Sequence, residues 1–276
     1  MKYALCITSP EIRNDFAFSM MYGPFPRKAA DMASFGYDGI ELLCGNPGDC
    51  DHGFVLGTCR KNNLAISDVS SGAVFTVTGL RLLDSDRQKR RECAELFSGM
   101  VELAEKLDTR LVTIGAFRGW ARDVGSVPAA EDILAELLCR LEPKLTDSGV
   151  SVALEPVNRG QTDIFNTCAE TLSFIDRIGN PHVGVLFDTY NAQSTEEKPA
   201  VALKNVIDSG KLLHFHIADT DRLPPGKGTI DFVPHLRILK EGSYDGFLSG
   251  ELLSGEDPVA TGRLTIDNMR DFEKCI

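Results

Sequence analysis

Short apolar runs alternate along the chain with longer segments whose apolar positions recur every three or four residues. Eight runs read as strands: YALCIT, GIELLC, LAISDVS, TRLVTIG, VSVALEP, HVGVLFD, LLHFHIA and GFLSGEL. Each is apolar almost without interruption. That suits parallel strands covered on both faces, because a half-exposed strand would alternate strictly.

The segments between them carry helix signals. SDRQKRRECAELFSGMVELAEKL has an amphipathic spacing, with Ser85 or Asp86 as its N-cap. PAAEDILAELLCRLEPKLTDSG opens on Pro128 and closes on Gly149, a start and a stop signal. TCAETLSFIDRIGNP begins at Thr167 with Glu170 three residues on, the spacing of a capping box. Eight strands alternating with helices predict a (β/α)8 TIM barrel, an α/β fold in a single domain over 1–276. A doubly wound open sheet is the other arrangement of such elements. No glycine fingerprint follows the first strand, which weakens its nucleotide-binding versions.

Composition narrows the partners. The chain has 276 residues, 43% of them hydrophobic, and a formal net charge of −11. Such a charge repels phosphate backbones and anionic lipid, so neither nucleic acid nor a membrane is an expected partner. No apolar stretch approaches the ~18 residues of a spanning helix. MKYALCITSP is too short for a signal peptide and reads as a first strand. The eight cysteines form no CxxC pair and lie scattered in apolar segments, as reduced thiols of a cytoplasmic protein would. CGNPGDCDHG fits no common zinc spacing and reads as a loop. A homo-oligomer is expected.

Chemistry in such a barrel sits at the C-terminal ends of the strands. The fifth strand ends in Glu155, the sixth in Asp188, the seventh near His216 and the eighth in Glu251, at intervals of 33, 28 and 35 residues. Four consecutive strands therefore deliver three carboxylates and one imidazole to one rim. Taken singly, each acid could pair with a base or cap the next helix. Together without a cation they would repel strongly, and one divalent ion resolves the conflict. Three oxygens and one nitrogen suit Mn²⁺, Mg²⁺ or Co²⁺, with Zn²⁺ also possible. The seventh strand holds two of the five histidines, His214 and His216, on one face. His216 is nearer the rim. His214 lies about one layer lower and is expected to be a core histidine, hydrogen-bonded to its neighbours.

The motifs GYDGIEL, ALEPVNR, GVLFDTYN, HFHIADTDRLPPGKGTIDF and YDGFLSGEL resemble, in order, those of the xylose isomerase-like barrel family of sugar isomerases and epimerases. The similarity is to its ketose 3-epimerase and 5-keto-gluconate epimerase branch. The resemblance implies that Glu155, Asp188, His216 and Glu251 bind a metal ion, typically Mn²⁺, and that Glu155 and Glu251 act as acid and base. It also implies that Arg222 contacts substrate; a rim salt bridge is the alternative. The chemistry would be proton abstraction next to a carbonyl through an ene-diolate.

Two positions depart from that pattern. The family has histidine where DTYN places Asn191, and often glutamate where Gln161 stands. Both are expected to hold one end of a sugar or keto-acid substrate, now without an ionisable group. Trp120, the only tryptophan, follows the fourth strand beside Arg118 and could wall the pocket. Lys227 could meet an anionic group, and Glu41 could face the site or pair with a buried arginine. The alternative activity is a metal-dependent lyase resembling inosose or dehydroshikimate dehydratases or C-glycoside deglycosidases. A non-catalytic sugar-binding protein is a further possibility.

Overall fold

Eight parallel strands close on themselves in sequence order, β1-β2-β3-β4-β5-β6-β7-β8. The computed structural model describes residues 1–12, 18–196 and 198–276. The strands are β1 Lys2–Thr8, β2 Gly39–Leu43, β3 Ala65–Ser70, β4 Leu111–Ile114, β5 Ser151–Leu154, β6 Val183–Asp188, β7 Leu212–Ile217 and β8 Phe247–Gly250. Closure is made by β1 on β8, with Tyr3 opposite Leu248 and Leu5 opposite Gly250. The helices are α1 Phe25–Phe35, α2 His52–Lys61, α3 Val74–Thr78, α4 Arg87–Lys106, α5 Val127–Ser148, α6 Cys168–Ile178, α7 Thr189–Thr195, α8 Pro199–Asp208, α9 Phe232–Glu241 and α10 Pro258–Glu273. All eight runs anticipated as strands are strands, and the fold is a TIM barrel.

Local chemistry accounts for the helix limits. The Asp86 side chain accepts from Gln88 N and starts α4. α5 starts one residue before Pro128, capped by Ser126, and ends at Gly149 in the left-handed region (φ 66°). At α6, Thr167 accepts from Glu170 N while the Glu170 side chain accepts from Thr167 N, a complete capping box.

Inside the barrel the side chains form layers. Leu111, Ala153 and Leu186 form a buried apolar cluster with Leu213 against it. A polar layer follows, with Glu41, Asp68, His214 and His216 all at most 1% exposed. Two irregularities set its phase. Ile40 and Glu41 pair with Ile66 and Asp68, so Ser67 is an extra residue in β3. Val185 and Leu186 pair with Leu212 and His214, so Leu213 is extra in β7. Beyond the second bulge His216 lies opposite Asp188. No helix among the described residues is long and apolar enough to cross a membrane.

The capping box supplies a stability test. Thr167→Ala should lower the free energy of unfolding by about 1 kcal/mol, read from denaturant curves. An unchanged midpoint would show that packing alone holds the first turn of α6.

Candidate active site

Glu155 and Glu251 are the first residues beyond β5 and β8, Asp188 is the last residue of β6 and His216 the last but one of β7. Each offers one donor atom such that all four atoms fall within 4.8 Å of one another. The set anticipated at four strand ends is thus assembled. Among the described residues Glu41, His214 and His216 form a second such set. There, however, both imidazole Nε2 atoms already converge on one oxygen, Glu41 Oε2, at 3.3 Å and 3.0 Å.

That convergence orients His216. Its Nε2–H donates to Glu41, so its Nδ1 is the atom left for the rim. Nδ1 is buried with no hydrogen-bond partner. It faces Asp188 Oδ2 at 3.6 Å and Glu251 Oε2 at 3.5 Å. An unpartnered imidazole nitrogen beside converging carboxylates fits a divalent cation, and a carboxylate behind the histidine is the usual support of a metal-bound imidazole. His214 has no place at the rim. It sits below, 3.4 Å from Asp68 Oδ1, as a core histidine. Glu41 pairs with these histidines, not with an arginine.

Arg222 already brings positive charge to the same oxygens. Its Nη1 lies 2.7 Å from Asp188 Oδ2 and 2.6 Å from Glu251 Oε2, and donates to Glu251 O at 3.1 Å. The guanidinium stands 4.5 Å from the Tyr190 ring centre and 5.6 Å from that of Phe18. The loop that carries it is built on Asp219. The Asp219 carboxylate accepts from the backbone N–H groups of Thr220, Gly226, Gly228 and Ile230 at 2.8–2.9 Å. A Cβ at Gly228 would strike Asp219 and Thr220, so glycine is required by the close approach. Asp221 and Arg222 both take φ of 57°, which points the guanidinium back over the barrel.

The electrostatics follow from burial and neighbours. Burial, then the charges of Glu251 and Asp188, push the Glu155 carboxyl up to about 8. Burial opposes ionisation of Asp188, yet Arg222 and His216 outweigh it and hold the group below its ordinary value. Burial likewise opposes the charged form of His216, but Glu41 and Glu251 raise it well above the usual imidazole range. Glu41 is held well below the carboxylate range, burial being outweighed by His216 and His214. Burial and Glu41 push Asp68 up to about 7.

A cavity of about 100 Å³ opens over these groups. Glu155, His216, Arg222 and Glu251 form one side. Gln161, Ser70, Thr113 and Phe18, with the small residues Gly72, Gly115 and Ala116, form the rest. Of the residues anticipated to meet substrate, Gln161 and Arg222 line it. Asn191 and Trp120 do not. Asn191 is fully buried and turned to Glu155, its Nδ2 donating to Glu155 Oε1 at 2.8 Å. Trp120 stacks with the Arg122 guanidinium at 3.7 Å from its ring centre. Arg118 is also fully buried, donating to the carbonyls of Ile164 and Phe165.

Residues 29–271 match the family model described as the xylose isomerase-like TIM barrel. The chain belongs to that family. It is 28% identical over 250 residues to an L-ribulose 3-epimerase of Methylomonas sp. (strain DH-1), covering 87% of this chain and 83% of that protein. Over 140 residues it is 34% identical to a 3-dehydro-D-guloside 4-epimerase of Escherichia coli (strain K12), covering 50% and 52% of the two chains. Its fold superposes on a 3-keto-D-glucoside 4-epimerase from E. coli with a TM-score of 0.80, at 22% identity and over 96% and 98% of the chains. Family membership and these relatives support an enzyme of the sugar epimerase and isomerase kind.

The histidines separate a ligand from its support. His216→Ala should abolish stoichiometric Mn²⁺ binding by calorimetry, while His214→Ala should keep the ion and lose stability. Glu41→Gln should weaken the ion by ~10–100-fold. Metal stripped by His214→Ala alone would reverse the assignment.

Binding should also be coupled to protons. With Glu155 up at about 8 and His216 raised, both hold a proton near pH 7 that an ion would displace. Mn²⁺ affinity should therefore fall as pH drops below about 8, with proton release in calorimetry across buffers of different ionisation heat. A pH-independent affinity would contradict these protonation states.

Proposed function

We propose that the protein is a divalent-metal-dependent epimerase or isomerase of a ketose, a keto-acid sugar or a related polyol ketone. The observation that carries this reading is the convergence of Glu155, Asp188, His216 and Glu251 within 4.8 Å beside a cavity. Mn²⁺ is the ion expected, with Mg²⁺, Co²⁺ and Zn²⁺ as alternatives. Bound there, a divalent ion acidifies the proton next to a substrate carbonyl and stabilises the charge that follows its removal.

The protein's own groups do the rest. Glu155 and Glu251 follow β5 and β8, three strands apart around the barrel, and approach the metal position from different strands. One removes the proton from its face of the sugar and the other returns one from the opposite face. Gln161 offers donor and acceptor to a hydroxyl without adding charge. Arg222 supplies a planar donor fork. The cavity is below the ~300 Å³ at the small end of ligand pockets. Entry of a sugar therefore requires Arg222 or Phe18 to draw aside. A small neutral or singly charged substrate, with neither nucleic acid nor membrane, is consistent with the acidic chain.

A panel of ketoses and keto-acid sugars incubated with the Mn²⁺-loaded protein in D₂O, then read by proton NMR after chelation, tests the reading. Deuterium gain at one carbon without loss of water is expected. A dehydrated or cleaved product would assign a lyase instead, and no turnover with any divalent ion would end the proposal. Glu155→Gln and Glu251→Gln should each keep some metal and lose ~100-fold or more in turnover. Wash-in of deuterium from one stereoisomer only is the expected mark of a surviving single base.

A further inference from the structure

Asn191 stands where the family has histidine, yet it is fully buried and absent from the cavity wall. Its hydrogen bonds say what it does. The Oδ1 atom accepts from Asn158 Nδ2 at 2.9 Å and from Asn158 N at 3.2 Å. Two donors on that side settle which end of the carboxamide is oxygen, so the NH₂ end must face Glu155. It donates to Glu155 Oε1 at 2.8 Å. The Asn191 backbone N–H meanwhile donates to Asp188 Oδ1 at 2.7 Å, where Asp188 caps α7. One residue thus ties two acids of the site to each other. The other Glu155 oxygen, Oε2, lies in the space that a Cβ at position 115 would fill, so Gly115 leaves the carboxylate its second seat.

We propose that Asn191 is a positioning residue for Glu155: locked by Asn158, its carboxamide holds the carboxylate by Oε1 and does not contact substrate. This rests on the reading of Glu155 as base and metal ligand. An amide suits the task because it donates at every pH and cannot itself take up the substrate proton. A histidine there could bind substrate or exchange protons. Asn191 instead supplies a fixed donor.

The test uses the full chain loaded with Mn²⁺ and the fastest substrate of the panel. Asn191→Ala should lower kcat by ~10-fold or more and weaken Mn²⁺ by a similar factor, with KM altered less than about twofold. Asn158→Ala should act in the same direction but less, and the double variant should be no worse than Asn191→Ala alone. Asn191→His, which restores a donor, should recover part of kcat. Should Asn191→Ala fold poorly, Asn191→Asp keeps the shape and removes the donor. A raised KM at constant kcat would make Asn191 a substrate contact and overturn the proposal, as would additive losses at 158 and 191. One arm needs no turnover. The Asn191 side-chain amide protons, assigned by NMR with diamagnetic Mg²⁺ in place of Mn²⁺, should exchange slowly and shift in Glu155→Ala; resonances that ignore this change would overturn the proposal even if the protein proved inactive. A wild-type chain with slow, Glu155-dependent amide protons and no turnover would instead sink only the broader reading.

Discussion

Negative charge crowded at one end of the barrel has to be matched by positive charge there. Glu155, Asp188 and Glu251 share the rim, and Glu41 and Asp68 lie directly below, all of them largely buried. Carboxylates this close and this dry repel too strongly to ionise together without cations. The fold answers with His216 between the two levels, His214 beneath it and Arg222 across the top. His216 is the hinge of the arrangement: Glu41 takes its Nε2–H, and Nδ1 is presented to the rim. The polar layer, the bulges that phase it and the Asp219 loop that aims Arg222 all serve this balance. A divalent ion would add charge to a place already built to receive it.

Much of this was legible in the chain. The near-continuous apolar strands declared a barrel because burial on both faces leaves no room for alternation. Glu155, Asp188, His216 and Glu251 could be found because each interrupts an apolar run at its end, one βα unit apart. The separate fates of His214 and His216 followed from their two-residue spacing and unequal height. What was not legible depended on contacts across the barrel. Asp68 interrupts the run AISDVS, a visible signal, yet its partner lies on β7. Glu41 offered two readings, and only the bulged register of β2 on β3 and of β6 on β7 decides that histidines meet it. Asn191 was expected at the sugar because family position suggested it. Its carboxamide is buried between Asn158 and Glu155, contacts that no local pattern announces.

The departures at 161 and 191 therefore differ in kind. Gln161 lines the cavity and changes what a ligand meets. Asn191 donates to the Glu155 carboxylate. An uncharged residue at each looks alike in sequence, while in space one faces the cavity and the other is hydrogen-bonded to a buried carboxylate. Gln161 stands with Ser70 and Thr113 on the cavity wall, and Asn191 stands behind Glu155.

The loop after β7 is long and carries two glycines and two prolines between Arg222 and Ile230, a composition that suggests slackness. Four of its N–H groups nevertheless end on one buried carboxylate, Asp219. Segments that become ordered only when a ligand arrives surrender conformational entropy at that moment, and the affinity is lower by that amount. This segment surrenders its freedom when the chain folds. A ligand that displaced Arg222 at the mouth would move one side chain while the backbone beneath it stays in place, so its entry would draw on that side chain's freedom and leave the loop's untouched.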